Sequence, residues 1–316
     1  MAVNVIQPGV FTTVQDLGRP GHRHEGVPVS GAADEVALRV ANLLVGNEES
    51  AAGLECTLHG PEVIFDEDRV VAVGGGAFDG LPWMQPFLVR AGERVRFGRV
   101  LGGCRGVIAI AGGIAVARVL GSRSTCTRAG FGGFEGRALR SGDALPIGAG
   151  ATGLPSGYWH IDVRILPAYA NTVTVRVLAG AHSAAFPAGW ADAEYEVLPA
   201  SDRMGVRLGG PAVRRSGGEE AASAPVAPGT VQVPPDGQPL VLLADAQTIG
   251  GYPRLAHVIT VDLPLMAQLP PGGRVRFALT TLAEAHRLWL AREHALGLLR
   301  LGLTALYRDV ARAPAG

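Results

Sequence analysis

The sequence predicts a mainly β protein made of two related halves with a few helices, and three observations predict it. Four short patterns recur in the same order along the chain, at offsets of about 150 to 180 residues. The recurring segments are short, rich in β-branched residues and bounded by Gly or Pro, as strands are. Gly (45) and Pro (22) together make about a fifth of the 316 residues, which favours tight turns over long helices. Many short strands separated by glycine turns predict closed barrels, which also remove exposed strand edges.

The duplication locates the strands. Val3-Asn4-Val5-Ile6, followed by Gly9, is echoed by Val175-Arg176-Val177-Leu178, followed by Gly180. Leu58 to Val63 is echoed by Leu208 to Val213, Val70 to Val73 by Leu240 to Leu243, and Gly92 to Phe97 by Gly272 to Phe277. Val70 to Val73 is a continuous apolar run and predicts a strand buried on both faces, whereas Arg94 to Phe97 alternates and predicts a half-exposed one. Gly74-Gly75-Gly76 after a strand lacks the GxGxxG spacing of a dinucleotide loop and is read as a glycine turn. Two helices interrupt the strands. Ala33 to Val45 carries Val36, Val40, Leu43 and Leu44 near helical spacing, with Asp34 at its start and Gly46 past its end. Leu282 to about Arg308 is strongly apolar and reads either as a core-facing helix or as an interface with another polypeptide. The halves divide into residues 1–165 and 166–316, the second carrying the C-terminal helix, with Gly, Pro and Ser clustered between Gly150 and Asn171. Glu219 to Pro228 reads as a loop.

Composition excludes several classes of function. The 28 basic and 28 acidic residues balance, and no basic face argues for nucleic acid. No apolar run is long enough for a membrane span, and Met1 to Gly9 lacks the pattern of a secretory signal. Cys56, Cys104 and Cys126 include no CxxC pair, so a disulfide framework is not expected and the cytoplasm is the expected location. All 28 basic residues are arginine. Without lysine the chain has no P-loop, no Schiff base and no biotin attachment point.

Four stretches carry candidate chemistry. Phe11 to Ser30 is a polar, glycine-rich segment feeding a helix start. It reads either as an anion site, with Arg19 adding a bidentate contact, or as a cap and turn in which Asp16 pairs with Arg19. Ser122, Arg123, Ser124 and Thr125 offer hydroxyls and a guanidinium, an inventory for an oxyanion or phosphate, or else an exposed turn. Ser201 to Arg207 places Asp202 beside Arg203 and Arg207, either toward an anionic substrate or as a surface ion pair. Thr230 to Tyr252 concentrates Gln232, Asp236, Gln238, Asp245, Gln247, Thr248 and Tyr252 around the strand Leu240 to Leu243. Glutamine amides both donate and accept, which suits an amide ring or urea, and Asp236 or Asp245 is a candidate general base. His22 and His24 have no further ligand cluster nearby, so no metal site is expected, and Cys126, without an obvious base, reads as a buried thiol.

Together these stretches resemble the family of 5-oxoprolinase C subunits, also known as allophanate hydrolase subunit 2 or biotin-dependent carboxyltransferase. The resemblance rests on Gly9 to Gly21, Val27-Pro28 with Ser30-Gly31, Ala41-Asn42 with Val45-Gly46-Asn47, and Leu120 to Thr125. It continues through Ser201 to Gly205, Gln232 to Pro239 and Gly250-Gly251-Tyr252-Pro253. It implies two tandem cyclophilin-like β-barrel domains. It implies ATP-dependent opening of 5-oxoproline to L-glutamate, with ATP and Mg at a hetero-complex formed with the B subunit (similar to allophanate hydrolase subunit 1) and completed by the A subunit. The alternatives it leaves open are a carboxyltransferase component of a urea carboxylase or allophanate hydrolase system, where biotin would enter on another polypeptide, and a regulatory binding protein that antagonises a kinase inhibitor. The candidate catalytic residues are Asp202, Asp236 and Asp245. The candidate substrate or phosphate contacts are Arg19, Ser122, Arg123, Ser124, Thr125, Arg203, Gln232, Gln238, Thr248 and Tyr252.

Overall fold

A computed structural model of the protein describes residues 1–155, 159–216 and 222–312. The chain divides into two compact units. The first comprises residues 1–19, 34–166 and 293–316, and the second residues 20–33 and 167–292.

In the first unit nine strands form two antiparallel sheets around one core. The four-stranded sheet runs in the order Arg94–Arg96, Glu62–Phe65, Ala2–Gln7, Ala144–Pro146. Val3 lies opposite Phe65 and Val5 opposite Val63, so the period-2 alternation of Ala2–Gln7 turns both valines inward. The five-stranded sheet runs Phe11–Gln15, Gly53–Thr57, Val100–Ile110, Arg69–Phe78, Pro86–Val89. Val71, Val73, Phe65 and Phe97 belong to a single buried cluster fed by both sheets.

Helix α1, Glu35–Leu44, covers the strand Arg69–Phe78 of the five-stranded sheet. Its N-cap is Asp34, whose carboxylate accepts the Ala37 amide at 3.0 Å, and Gly46 turns left-handed just past its end. The expected turn at Gly74–Gly76 is instead part of this strand. A Cβ at Gly74 would stand 2.8 Å from the Ala37 carbonyl, so the missing side chain is what lets the helix backbone lie on the sheet. Gly75, at φ 70°, absorbs a register shift against Val100–Ile110, a bulge that the sequence reads as a chain reversal.

The second unit is a closed seven-stranded barrel. Its order is Thr172–Ala179, Arg254–Val258, Thr230–Gln232, Leu240–Leu242, Gly205–Gly209, Glu194–Val197, Arg274–Leu279. The last strand returns to the first in parallel, with Val173 opposite Val275 and Val175 opposite Phe277, and every other pairing is antiparallel. Closure leaves no strand edge in the ring, and the inward valines, Tyr195 and Phe277 fill it. Three of the four duplicated patterns fall on strands in both units. The fourth falls at a strand start, Glu62, in the first and at a strand end, Gly209, in the second.

Two further helices complete the chain, α2 (Leu263–Gln268) and α3 (Leu282–Arg312). Apolar residues surround α3: Leu296 and Leu303 are buried, while Leu290, Leu298 and Leu301 are exposed. Its first turns belong to the second unit and its remainder to the first. In the first unit Glu293 clasps Arg39 of α1 with two bonds of 2.7 and 2.8 Å, and the Tyr307 hydroxyl donates to the Leu44 carbonyl at 2.6 Å. Residues 219–221 of the loop expected over Glu219–Pro228 lie outside the described residues, and Ala224–Pro225 forms a short strand with Ile249–Gly250. Among the described residues no helix is long and apolar enough to cross a membrane.

Candidate functional site

The predicted site residues fall in both units. The first cluster begins where strand Phe11–Gln15 ends at Asp16. The carboxylate of Asp16 accepts the Ser122 hydroxyl at 2.6 Å, the Ser124 hydroxyl at 2.5 Å, the Arg123 amide at 2.6 Å and the Gly18 amide at 2.8 Å. Ser122, Ser124 and Thr125 are fully buried. The oxyanion that this Ser/Thr loop binds is therefore a carboxylate of its own chain, and the two serine hydroxyls read from sequence as phosphate contacts are directed onto it. The Thr125 hydroxyl donates to the Val14 carbonyl and the Arg123 Nε to the Val116 carbonyl, both internal bonds. Arg19 donates to the Ser124 carbonyl and its guanidinium lies 4.8 Å from the Phe131 ring centroid. Glycines make this packing fit: a Cβ at Gly133 would stand 1.8 Å from the Thr125 hydroxyl oxygen.

The second cluster lies in the barrel unit. Arg203 and Asp245 form a bidentate ion pair, at 2.8 Å from Nε and 3.2 Å from the terminal nitrogen, with both side chains buried. The same guanidinium donates to the Gly31 carbonyl at 2.6 Å, and the Asp245 amide donates to the Arg203 carbonyl at 3.0 Å. Gln232 is buried at the end of strand Thr230–Gln232; its Nε2 donates to the Tyr252 carbonyl at 3.3 Å and its Oε1 receives Gln247 at 3.5 Å. A Cβ at Gly250 would stand 2.7 Å from Gln232 Nε2, so glycine there leaves room for the amide. Thr248 is buried, and Tyr252 is exposed.

Asp202 and Asp236 are exposed and stabilise turns. Asp202 accepts the amides of Met204 and Gly205, and Asp236 accepts that of Gln238. The Gln238 side chain bridges both backbone groups of Gly210. The structure thus brings Arg203 and Asp245 together, sets Gln232 beside Tyr252, and uses Asp202 and Asp236 as caps.

Sequence reasoning missed two features. His257 and His286 were not singled out, yet both line a groove of about 610 Å³ with Leu178, Ile259 and Trp289. Burial pushes His257 below its ordinary value, and its ring nitrogen lies 3.4 Å from the Thr230 hydroxyl. The signal available was the spacing of Leu282, His286 and Trp289 on one helix face. It also missed the salt-bridged Asp262, which takes Arg176 through two side-chain bonds, since neither residue sits in a glycine-rich loop. All three cysteines are buried and in no disulfide, as expected for Cys126, and burial raises the Cys56 and Cys104 thiols.

The donors read as phosphate contacts do not form a triphosphate cradle on this chain: Ser122 and Ser124 are engaged by Asp16, and Arg203 by Asp245 and Gly31. Among the described residues no group of His, Cys, Asp and Glu is placed to hold a metal.

Comparison with known proteins decides the family. The description "Carboxyltransferase domain, subdomain A and B" matches residues 25–279. The chain belongs to this carboxyltransferase family. It is 40% identical over 297 residues to the C subunit of 5-oxoprolinase from Escherichia coli, covering 90% of this chain and 93% of that one. It is 36% identical to the protein of the same name from Haemophilus influenzae, over 94% of this chain and 97% of that one. The crystal structure of the K. lactis urea amidolyase superposes with a TM-score of 0.88 at 29% identity over 94% of this chain. The chain spans only 20% of that much longer protein.

Proposed function

We propose that this chain is the C subunit of a 5-oxoprolinase, acting with the A and B subunits in the cytoplasm to open 5-oxoproline to L-glutamate at the expense of ATP. The observation that carries this is the 40% identity to the Escherichia coli protein, which extends over nearly the full length of both chains. The chain's own part is recognition and positioning of the amide. Gln232, which both donates and accepts, and Tyr252 beside it are suited to the lactam N–H and C=O. The Arg203–Asp245 pair fixes the neighbouring loops, with Thr248 buried close to it in sequence. Asp202 and Asp236 are exposed at turns, each holding backbone amides with one carboxylate oxygen, and are the candidate bases toward a reacting water. Because Ser122, Ser124 and Arg203 are engaged within the chain, ATP binding belongs to the assembled complex.

The superposition with urea amidolyase supports a second reading, transfer of a carboxyl group to urea with biotin carried on another polypeptide. One assay separates the two. Phosphate release from ATP is measured with the chain and its two partner polypeptides, adding 5-oxoproline alone, or urea, bicarbonate and a biotinylated carrier. Release driven by 5-oxoproline without biotin supports the first reading. Release that requires urea, bicarbonate and biotin replaces it with the second, and silence in every mixture leaves a regulatory binding protein.

A further inference from the structure

Ser30 sits in the segment between Gly26 and Gly31, within the barrel unit. Its φ is 54°, the left-handed region that L side chains seldom adopt, and the glycines at either end of the segment are left-handed too, at 83° and 88°. Two backbone bonds fix Ser30 in place. Its amide donates to the Ala244 carbonyl at 3.0 Å, and the next carbonyl, of Gly31, receives Arg203 at 2.6 Å. Arg203 is in turn held by Asp245, the residue after Ala244. The hydroxyl is the exception: it is buried and has no hydrogen-bond partner among the described residues.

Ser30 therefore carries two penalties that glycine would avoid, a strained backbone and a desolvated hydroxyl without a partner. Strain of this kind collects where a side chain must be presented in a fixed direction. The surrounding bonds hold Ser30 on the platform of the Arg203–Asp245 pair, which is what preorganised recognition requires. Access of a ligand to the hydroxyl would require the Gly26–Gly31 segment to release the Ser30–Ala244 and Gly31–Arg203 bonds.

We propose that Ser30 is a substrate-binding residue whose hydroxyl donates a hydrogen bond to the carbonyl oxygen of a small amide or urea held beside the Arg203–Asp245 pair. This rests on the amide-processing reading above and extends it to a residue that is not among the candidate contacts.

The test compares Ser30→Gly and Ser30→Ala with the unaltered chain in the complete complex, measuring kcat and KM for 5-oxoproline-driven phosphate release and the melting temperature of each chain. Ser30→Gly removes hydroxyl and strain together, so its melting temperature should equal or exceed that of the unaltered chain while kcat/KM falls about tenfold or more. Ser30→Ala should lose activity to the same degree with a smaller gain in melting temperature than Ser30→Gly, because it removes the desolvated hydroxyl and keeps the strain. A Ser30→Gly complex with unchanged kcat/KM overturns the proposal. If the unaltered complex is silent with 5-oxoproline, the lactam reading has failed, and calorimetry with 5-oxoproline and with urea then decides on Ser30: binding by the unaltered chain that Ser30→Gly loses supports the role, and binding that is equal in both or absent from both overturns it.

Discussion

Ser124 donates its hydroxyl to Asp16 at 2.5 Å across 108 residues of chain, tying the Leu120–Thr125 loop to the end of strand Phe11–Gln15. Four donors converge on that one carboxylate. We expect Asp16→Asn to lower stability by about 2–3 kcal/mol, because an amide cannot accept on both sides and leaves buried donors unmet. Urea denaturation checks this: the midpoint should fall with the slope unchanged. A midpoint equal to that of the unaltered chain would mean that the loop is held by the glycine packing at Gly132 and Gly133 alone.

The Arg203–Asp245 pair calls for a different expectation. Both side chains are buried, so removing the carboxylate in Asp245→Ala takes away the bidentate acceptor of an enclosed guanidinium. The expected loss is about 3–5 kcal/mol. Replacing both partners with apolar residues of similar volume should recover most of that stability while abolishing activity of the complex. Recovered activity in the double variant would remove the pair from the site.

Gly250→Ala tests Gln232 without touching it. The added Cβ would come within 2.7 Å of the Gln232 amide nitrogen, and a flexible side-chain end can move aside at small cost to stability. The displaced amide should then raise KM for the lactam about tenfold, the equivalent of one hydrogen bond of about 1.4 kcal/mol. An unchanged KM would place Gln232 outside the substrate contacts.

How much of this was legible in the sequence depended on whether local pattern or tertiary closure was the cause. The strands around Val3, Val71, Val175 and Phe277 follow from alternation and β-branching, and α1 from its spacing, its Asp34 cap and Gly46. The glycine run at 74–76 misled because a bulge and a turn demand the same residue, and only the approach of Ala37 distinguishes them. At the candidate site, sequence singled out the loops but not the targets of their donors. Nothing near Ser122 in the chain announces that its acceptor is Asp16, 106 residues away. Arg203 and Asp245 were both singled out, but their pairing is set by the neighbouring strands Gly205–Gly209 and Leu240–Leu242, a register that sequence did not supply.

The pH dependence of stability should carry the signature of His257. Burial lowers its pKa from the ordinary 6.5, so the folded chain holds it neutral while the unfolded chain takes up a proton. Below about pH 6.5 the unfolded state therefore binds more protons, and stability falls as pH drops until the folded-state value is passed. Above that range both states are neutral and His257 contributes no slope. His182 is lowered in the same direction, by burial and by Arg254 and Arg215, and adds to the effect. Melting temperatures between pH 5 and 8 should decline on the acid side, and His257→Gln should flatten the decline in part, leaving the share of His182. Identical slopes in the two chains would show that the ring accepts a proton in place, with the groove beside Trp289 hydrated enough to carry the charge.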